Sequence, residues 1–197
     1  MYNMATSSVK SALRSKMKNI LKNVSPEEKK IQSAKVFEKL CALKQYQESN
    51  RISLYLSTED EIDTLPILKH IFDLGKEAFV PLYHGKTMEM VKLKSMDDYE
   101  TLPLTKWNIK QPNINEYHEN ALETGGLDFI ILPGVAFTMN GKRLGHGMGY
   151  YDRYLKKYFE KKSTRPYLIA LGFKEQIQED IPSNEHDVLV DIVLSGH

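Results

Sequence analysis

The hydrophobic pattern at the start of the chain is helical. Residues 7–23 carry apolar side chains that recur every three or four positions, which predicts a helix. The same segment carries a basic residue at every fourth position, namely Lys10, Arg14, Lys18 and Lys22. A basic stripe of this kind is most often a solvated helix face, and anion binding is the alternative.

A second helix is predicted from Ser25 to about Leu43. The serine can cap the helix, Pro26 suits the first helical position, and Glu28 completes a capping box. Apolar residues at helical spacing then predict the buried side, which is formed by Ile31, Ala34, Phe37 and Leu40.

Short apolar runs that alternate with helical segments predict a mainly parallel sheet. The expected strands are 51–56, 78–82, 88–93, 127–132, 167–172 and 191–194. Helices are expected over 64–74, 150–161 and 174–179, and Gly75 ends the first of these. Residues 95–124 show no regular pattern. The alternation predicts a three-layer α/β/α sandwich, with 127–132 near its centre and one domain over 1–197.

Composition limits the classes of function. Of 197 residues, 41% are hydrophobic and 27% charged, so the chain can bury a core. Lys and Arg number 27 against 26 Asp and Glu, which gives no support for binding to nucleic acid or a membrane surface. A single cysteine, Cys41, rules out an internal disulfide and indicates a reducing compartment.

The start of the chain has no apolar stretch that resembles a signal peptide. It is rich in Ser and Lys and lacks acidic residues, so a transit peptide is the alternative. No window approaches the length of a membrane span. A soluble, cytoplasmic protein is therefore expected. A monomer is also expected, although neither composition nor pattern indicates the oligomeric state.

Glycines recur at every second position between the central strand and the helix at 150, as Gly145, Gly147 and Gly149. Glycines let the backbone approach a ligand closely, and successive amides before a helix N-terminus form a concavity suited to phosphates. The spacing matches neither the P-loop nor the dinucleotide fingerprint. A glycine-rich hairpin loop without a ligand is the alternative.

Charged and aromatic residues flank these glycines. Arg143 can neutralise phosphate charge, Tyr150 and Tyr151 can stack or form hydrogen bonds, and Asp152 at the helix start can hold a metal ion. The alternative for Asp152 is an acidic residue that only stabilises the helix dipole. The pattern therefore favours a phosphate site with a cation.

The segment PGVAFTMNGKRLGHGMGYYDRYL, residues 133–155, resembles the signature of the 5-formyltetrahydrofolate cyclo-ligase family. The resemblance extends to KSALR, ISLYLSTEDEID, TKWNIKQP and EHDVLVD in order, and so covers nearly the whole chain. It implies a fold like that of sugar-phosphate isomerases and coenzyme A transferases. It also implies an enzyme that uses ATP and Mg²⁺ to close the formyl bridge of a reduced folate.

The resemblance further implies a set of site residues. Those implied to bind ATP are Lys10, Arg14, Arg143, Leu144, Gly145, His146, Gly147, Met148, Gly149, Tyr150 and Tyr151. Those implied to bind the folate are Leu56, Glu61, His146, Gly147, Met148, Gly149 and Tyr150. Asp152 and Asp187 are implied as magnesium ligands and Arg143 as the catalytic cation. Without the resemblance, Glu61 would be one carboxylate of a solvated acidic loop and Asp187 part of a surface turn.

Two aromatic residues, Tyr83 and Trp107, are candidates for packing against the flat pteridine ring. The alternative is that both are core aromatics. The chain also departs from the family, which often carries basic residues where His146 and Met148 stand. No loop lysine is therefore expected to bind phosphate here.

The implied reaction begins from a formyl group whose carbon is an amide carbon on N5. ATP phosphorylates the formyl oxygen, N10 attacks the carbon, and phosphate leaves. The protein then mainly positions the reactants and neutralises charge. Two alternatives are an isomerase or coenzyme A transferase, which would work without ATP, and a non-catalytic folate-binding or nucleotide-binding regulator.

Overall fold

Eight strands are found in the computed structural model, which describes residues 2–105 and 109–197. They are β1 (Arg51–Ser53), β2 (Glu77–His84), β3 (Thr87–Leu93), β4 (Phe129–Leu132), β5 (Ala136–Phe137), β6 (Arg143–Leu144), β7 (Tyr167–Gly172) and β8 (Ile192–Ser195). Six of these form one sheet in the order β3-β2-β1-β4-β7-β8, and β5 pairs with β6 in a separate hairpin. Neighbours in the sheet are parallel except β2 and β3. The predicted mainly parallel sheet is confirmed.

The helices flank this sheet. They are α1 (Tyr2–Lys22), α2 (Pro26–Ala42), α3 (Lys44–Glu48), α4 (Leu65–Asp73), α5 (Met96–Thr101) and α6 (Tyr150–Lys161), and a 3₁₀ turn spans Lys174–Gln176. The crossover through α4 and the crossover through α6 run in opposite directions along the sheet. Because parallel crossovers are right-handed, α4 and α6 cover opposite faces. This is the three-layer sandwich that the sequence predicts.

Local signals set several helix ends as predicted. The Ser25 hydroxyl accepts a hydrogen bond from the Glu28 amide at 3.1 Å and so caps α2. The Glu28 carboxylate, however, binds Lys174 at 2.6 Å. Gly75 follows α4 with φ of 67°, which ends the helix. Within the described ranges, no helix has the length and apolar character needed to cross a bilayer.

The predicted buried side of α2 is partly wrong. Ile31 and Ala34 face solvent, whereas Gln32 is fully buried. The Gln32 side chain is satisfied there, since its amide donates to Glu175 at 3.1 Å and its oxygen accepts from the Lys174 amide at 2.8 Å. A buried polar residue is tolerated when its hydrogen bonds are made, and apolar spacing alone does not reveal such a residue.

A second difference lies in the region predicted to be irregular. It contains α5, which begins after Ser95, and the Ser95 hydroxyl accepts from the Asp98 amide at 3.1 Å. The helix has six residues, so it is too short to show helical periodicity. The described residues after it, 102–105 and 109–124, contain no further helix or named strand, as expected.

The connection order reverses between β1 and β4. The chain leaves β1 for β2 on one side and leaves β4 for β7 on the other. Parallel α/β sheets bind ligands beside the carboxyl ends of strands at such a switch point. The loops that follow these two strands, 54–64 and 133–149, carry many of the residues singled out in the sequence.

Candidate active site

The acidic loop after β1 holds Glu61 in a fixed position. Its carboxylate accepts hydrogen bonds from the Thr58 amide at 2.9 Å and from the Thr58 hydroxyl at 3.0 Å. The Glu61 side chain is only 11% exposed, so it is not a solvated carboxylate. Leu56, at the start of the same loop, packs against the core. Both predicted folate residues therefore lie at the carboxyl end of β1.

The glycine loop follows the β5–β6 hairpin and ends at α6. Gly147 has φ of 108° and Gly149 has φ of 65°, conformations that glycine adopts without strain. Gly149 is the residue that precedes α6, so the loop leads directly into a helix N-terminus. The predicted order of strand, glycine loop and helix is confirmed.

The two loops contact each other through His146 and Glu61. The His146 Nε2 atom lies 3.3 Å from the Glu61 Oε1 atom. His146 is 61% exposed whereas Glu61 is nearly buried. Residues that are 85 positions apart in the sequence are thus neighbours where the two loops meet. The structure brings these two folate candidates together.

The basic stripe of α1 divides into two parts. Lys10 Nζ lies 2.5 Å from Asp187 Oδ2, and Arg14 Nε donates to the Gly145 carbonyl at 2.8 Å. Lys18 and Lys22 are exposed. The solvated-face interpretation therefore holds for the second half of the stripe, while the first half contacts the glycine loop and a predicted metal ligand.

Asp152, in the first turn of α6, pairs with Arg143. The Arg143 Nη2 atom lies 3.1 Å from Asp152 Oδ1, and Nη1 donates to the Pro133 carbonyl at 3.1 Å. The Arg143 side chain is 3% exposed. Its Nε is buried with no hydrogen-bond partner among residues 2–105 and 109–197. A buried donor without a partner is rare in a folded protein, so this guanidinium carries an unmet hydrogen-bonding requirement.

The second predicted metal ligand, Asp187, lies in a turn beside Asp152. Asp187 Oδ2 accepts from the Asn184 amide at 2.8 Å, and the next amide, that of Val188, donates to Asp152 Oδ1 at 3.3 Å. In the described part of the chain, no cluster of three or more His, Cys, Asp or Glu side chains could hold a metal. Magnesium commonly takes only one or two carboxylates and completes its shell with water and substrate phosphates. The two aspartates suit that kind of site.

Two tyrosine side chains, Tyr83 and Tyr150, pack together next to the glycine loop and are called the tyrosine wall below. The rings of Tyr83 and Tyr150 lie 4.9 Å apart at 62°, and the Tyr150 hydroxyl donates to the Gly85 carbonyl at 2.7 Å. Burial raises the pKa of Tyr83 to about 12 and raises the pKa of the fully buried Tyr151 well above its ordinary value. Both hydroxyls therefore stay protonated near neutral pH.

The remaining predicted site residues, Leu144, Met148 and Trp107, differ in their burial and in whether the structure describes them. Leu144 is buried in β6 beneath the loop, and Met148 is exposed. Trp107, the second candidate for the pteridine ring, lies outside the described residues.

Three contacts involve residues that sequence analysis did not single out. Thr58 holds Glu61, Asn184 binds Asp187, and Arg153 donates to the Met148 carbonyl at 2.7 Å. Thr58 and Asn184 stand three positions before their carboxylates, and short polar residues at such spacing often form turns. That signal could have identified them. Arg153 has no such signal, because it is one of several basic residues on α6.

These features define a class of protein. The sheet is open and mainly parallel, and its charged loops gather beside the carboxyl ends of strands at a switch point. That arrangement is typical of α/β proteins that bind a small ligand at this edge.

Comparison with known proteins gives the family. The profile of the 5-formyltetrahydrofolate cyclo-ligase family matches residues 6–196. The 5-formyltetrahydrofolate cyclo-ligase of Mus musculus is 48% identical over 189 residues, which is 95% of this chain and 93% of the mouse protein. A probable 5-formyltetrahydrofolate cyclo-ligase of Caenorhabditis elegans is 43% identical over 195 residues, 96% of this chain and 94% of the worm protein. The chain therefore belongs to the 5-formyltetrahydrofolate cyclo-ligase family.

Solved structures agree with this result. The NMR structure of Aquifex aeolicus 5,10-methenyltetrahydrofolate synthetase superposes with a TM-score of 0.77 at 28% identity, over 95% of this chain and 90% of that one. A Mycoplasma pneumoniae 5,10-methenyltetrahydrofolate synthetase gives a TM-score of 0.70 at 19% identity, covering 94% of this chain and 97% of that one, and supports the fold alone. The chain is thus a folate cyclo-ligase, as the resemblance implied, and the isomerase, transferase and regulator alternatives are wrong.

Proposed function

We propose that this enzyme uses ATP and magnesium to convert 5-formyltetrahydrofolate into 5,10-methenyltetrahydrofolate, ADP and phosphate. The docking of α1 against the glycine loop carries the proposal. Arg14 reaches the Gly145 carbonyl and Lys10 reaches Asp187. Two cations thus stand beside a loop of amides at a helix N-terminus, which is the environment that a triphosphate requires.

The chemistry explains why ATP is needed. The formyl oxygen of an N5 amide is a poor leaving group. Transfer of the γ-phosphoryl group forms a bond from phosphorus to that oxygen as the bond to ADP breaks. N10 then attacks the activated carbon and loses its proton, and the carbon–oxygen bond breaks so that phosphate leaves with the electron pair. The product is the N5–N10 methenyl cation.

Arg143 is the proposed catalytic residue. Its guanidinium is nearly buried and is held by Asp152 and the Pro133 carbonyl, while its Nε has no hydrogen-bond partner in the described part of the chain. A fixed positive charge in a site shielded from water stabilises developing negative charge on the transferred phosphoryl group. Lys10, Arg14 and the backbone from Leu144 to Tyr151 hold the rest of the triphosphate in this proposal.

Asp152 and Asp187 would hold the magnesium ion. When bound, the ion neutralises phosphate oxygens and orients the triphosphate. In this structure Arg143 lies against the first carboxylate and Lys10 against the second. Because Arg143 and Lys10 lie against the proposed magnesium ligands, they would also contact the phosphates of the bound ATP.

The folate is proposed to lie between the acidic loop and the tyrosine wall. Glu61 offers a fixed hydrogen-bond acceptor, Leu56 an apolar contact, and Tyr83 with Tyr150 an aromatic surface for the pteridine. Trp107 is part of the same proposal. Residues 146–150 serve both ligands, so the formyl oxygen and the γ-phosphoryl group would be adjacent, which supplies much of the acceleration in reactions of this kind.

The same proposal treats residues 1–197 as one domain that works as a cytoplasmic monomer. The two ends of the chain pack together, since α1 contacts the 3₁₀ turn and α2 contacts the last strand, β8. The cytoplasmic assignment rests on the single cysteine.

The test is turnover of 5-formyltetrahydrofolate by the purified enzyme with and without ATP and magnesium, followed by the near-ultraviolet absorbance of the methenyl product. Product is expected only when nucleotide and divalent metal are both present. Equal turnover without ATP would overturn the phosphorylation step. Equal turnover after exhaustive chelation would overturn the assignment of Asp152 and Asp187.

A further inference from the structure

Each glycine of the phosphate-binding loop faces the guanidinium of a different arginine. A Cβ atom added at Gly145 or Gly149 would lie 3.1 Å or 2.9 Å, respectively, from a guanidinium nitrogen. A Cβ atom added at Gly147 would lie 3.6 Å from a guanidinium carbon. The pairs are Gly145 with Arg143, Gly147 with Arg14, and Gly149 with Arg153. The loop is therefore packed against three cations, and the third of them has no assigned role.

Two of these arginines also fix peptide groups of the loop. Arg14 Nε donates to the Gly145 carbonyl at 2.8 Å, and Arg153 Nη1 donates to the Met148 carbonyl at 2.7 Å. A trans peptide is planar, with its carbonyl and its N–H pointing in opposite directions. These bonds therefore turn the His146 and Gly149 amides away from the arginines that hold the carbonyls.

Arg153 has a second hydrogen bond outside the glycine loop. Its Nη2 donates to the Lys86 carbonyl at 2.8 Å, in the turn between β2 and β3. Its guanidinium lies 5.4 Å from the centre of the Tyr150 ring, and the Tyr150 hydroxyl donates to the neighbouring Gly85 carbonyl. One side chain thus ties the glycine loop to this turn, and an adjacent tyrosine repeats the connection.

We propose that Arg153 is a positioning residue for the triphosphate. It fixes the Met148–Gly149 peptide so that the Gly149 amide faces the phosphates, and it holds the loop against the β2–β3 turn. The inference rests on the proposed use of ATP. It also explains how the loop works with an uncharged residue at 148, because the guanidinium acts on the Met148 backbone and not on its side chain.

The experiment compares Arg153→Ala, Arg153→Lys and, as a matched control, Lys157→Ala, which removes the same charge one turn further along α6. Loss of charge-assisted hydrogen bonds should raise KM for ATP about tenfold in Arg153→Ala. KM for the folate and kcat should change much less. Arg153→Lys keeps the charge, but one nitrogen cannot replace the two separate donor atoms with which the guanidinium reaches the Met148 and Lys86 carbonyls. Most of the defect should therefore remain. Lys157→Ala should match the wild type.

Two further measurements separate positioning from a general loss of structure. Millimolar guanidinium should restore ATP use to Arg153→Ala and leave Lys157→Ala unchanged. Amide hydrogen exchange of 146–149 in the ligand-free protein should be faster in Arg153→Ala than in the control. Equal KM for ATP in the alanine variants, or full recovery by Arg153→Lys, would overturn the proposal.

Failure of the proposed function would look different. In that case the wild-type enzyme itself would show no ATP requirement. The exchange measurement does not depend on ATP. Unchanged exchange in Arg153→Ala would therefore show that Arg153 does not hold the glycine loop, whether or not the enzyme uses ATP.

Discussion

Charged residues are frequent at both ends of the parallel strands, which we call the amino edge and the carboxyl edge of the sheet. They make different kinds of contact at the two edges. At the amino edge, Asp128 accepts hydrogen bonds from the Asn50 and Arg51 amides, both at 2.8 Å, and Arg51 pairs with Glu77 at 3.0 Å. Asp191 likewise accepts from the Leu168 amide at 2.7 Å. These side chains satisfy the first amides of parallel strands.

At the carboxyl edge, charged residues join separate elements and leave groups unsatisfied. Lys10 on α1 reaches Asp187 in a turn, and the buried Arg143 Nε has no hydrogen-bond partner within residues 2–105 and 109–197. Charge density alone therefore does not locate the site. The difference lies in whether the polar groups are already complete, since a protein that binds a ligand must keep some of them available.

The largest expected effect comes from comparing Gly147→Val with Gly125→Val. Both positions have positive φ, of 108° and 116°, so valine should strain each by about 1–2 kcal/mol. Only Gly147 lies against Arg14 at the candidate site. We expect near-complete loss of turnover in Gly147→Val and little loss in Gly125→Val, with thermal unfolding measured for both. A folded Gly147→Val enzyme with normal ATP affinity would mean that the glycines serve only the turn.

Next in size is the comparison of Asp152→Asn with Asp128→Asn. Asparagine at 152 still offers an oxygen to Arg143 and Val188 but loses the charge, so the magnesium concentration for half-maximal activity should rise at least about tenfold. Asparagine at 128 weakens two backbone bonds, which should cost about 1–3 kcal/mol of unfolding free energy while the metal requirement stays unchanged. Metal titration and denaturant unfolding of both variants decide this. An unchanged titration in folded Asp152→Asn would remove it from the metal site.

A smaller loss of function is expected when the two halves of the basic stripe on α1 are replaced separately. Replacing Lys10 and Arg14 together by alanine should raise KM for ATP about tenfold, because each contributes a charge-assisted contact, and should leave KM for the folate nearly unchanged. The control replaces Lys18 and Lys22 on the same helix, which are exposed. If both double variants show the same ATP titration and the same helicity, the stripe is a solvated face throughout.

The smallest effect is expected at Met148. This side chain is exposed beside the loop, so Met148→Lys should be tolerated. The added charge should lower KM for ATP by only about two- to threefold, because exposed ion pairs are screened by salt. Kinetics at low and high ionic strength would test this. A gain that persists in high salt would show that the lysine is sheltered and directly contacts a phosphate.

The sequence was sufficient where the signals are local. The bounds of α6 and β7 are found as predicted, because a glycine before the helix and a continuous apolar run are visible in neighbouring residues. The burial of Gln32 could not be predicted in this way, since it depends on Glu175, which is 143 positions away.

Only part of the candidate site could be predicted from the sequence. The glycine spacing predicts a loop that can approach a ligand, but the pairing of Lys10 with Asp187 joins residues 177 positions apart. No periodicity encodes such a contact, and the family resemblance implied only that Lys10 binds ATP and that Asp187 binds magnesium, not that the two side chains pair. Arg153 was missed because its residue type and spacing do not distinguish it from Lys156 and Lys157 on the same helix.

The contact between Lys10 and Asp187 also has a consequence for synthesis. A ribosome adds about 5–20 residues per second, so the first helix leaves the exit tunnel many seconds before Asp187 does. The glycine loop is translated roughly in between, and Lys10 gains its carboxylate partner only when nearly the whole chain has emerged. Nascent chains should therefore complete the proposed nucleotide site only at the end of synthesis, and a polypeptide released before residue 187 would lack this contact.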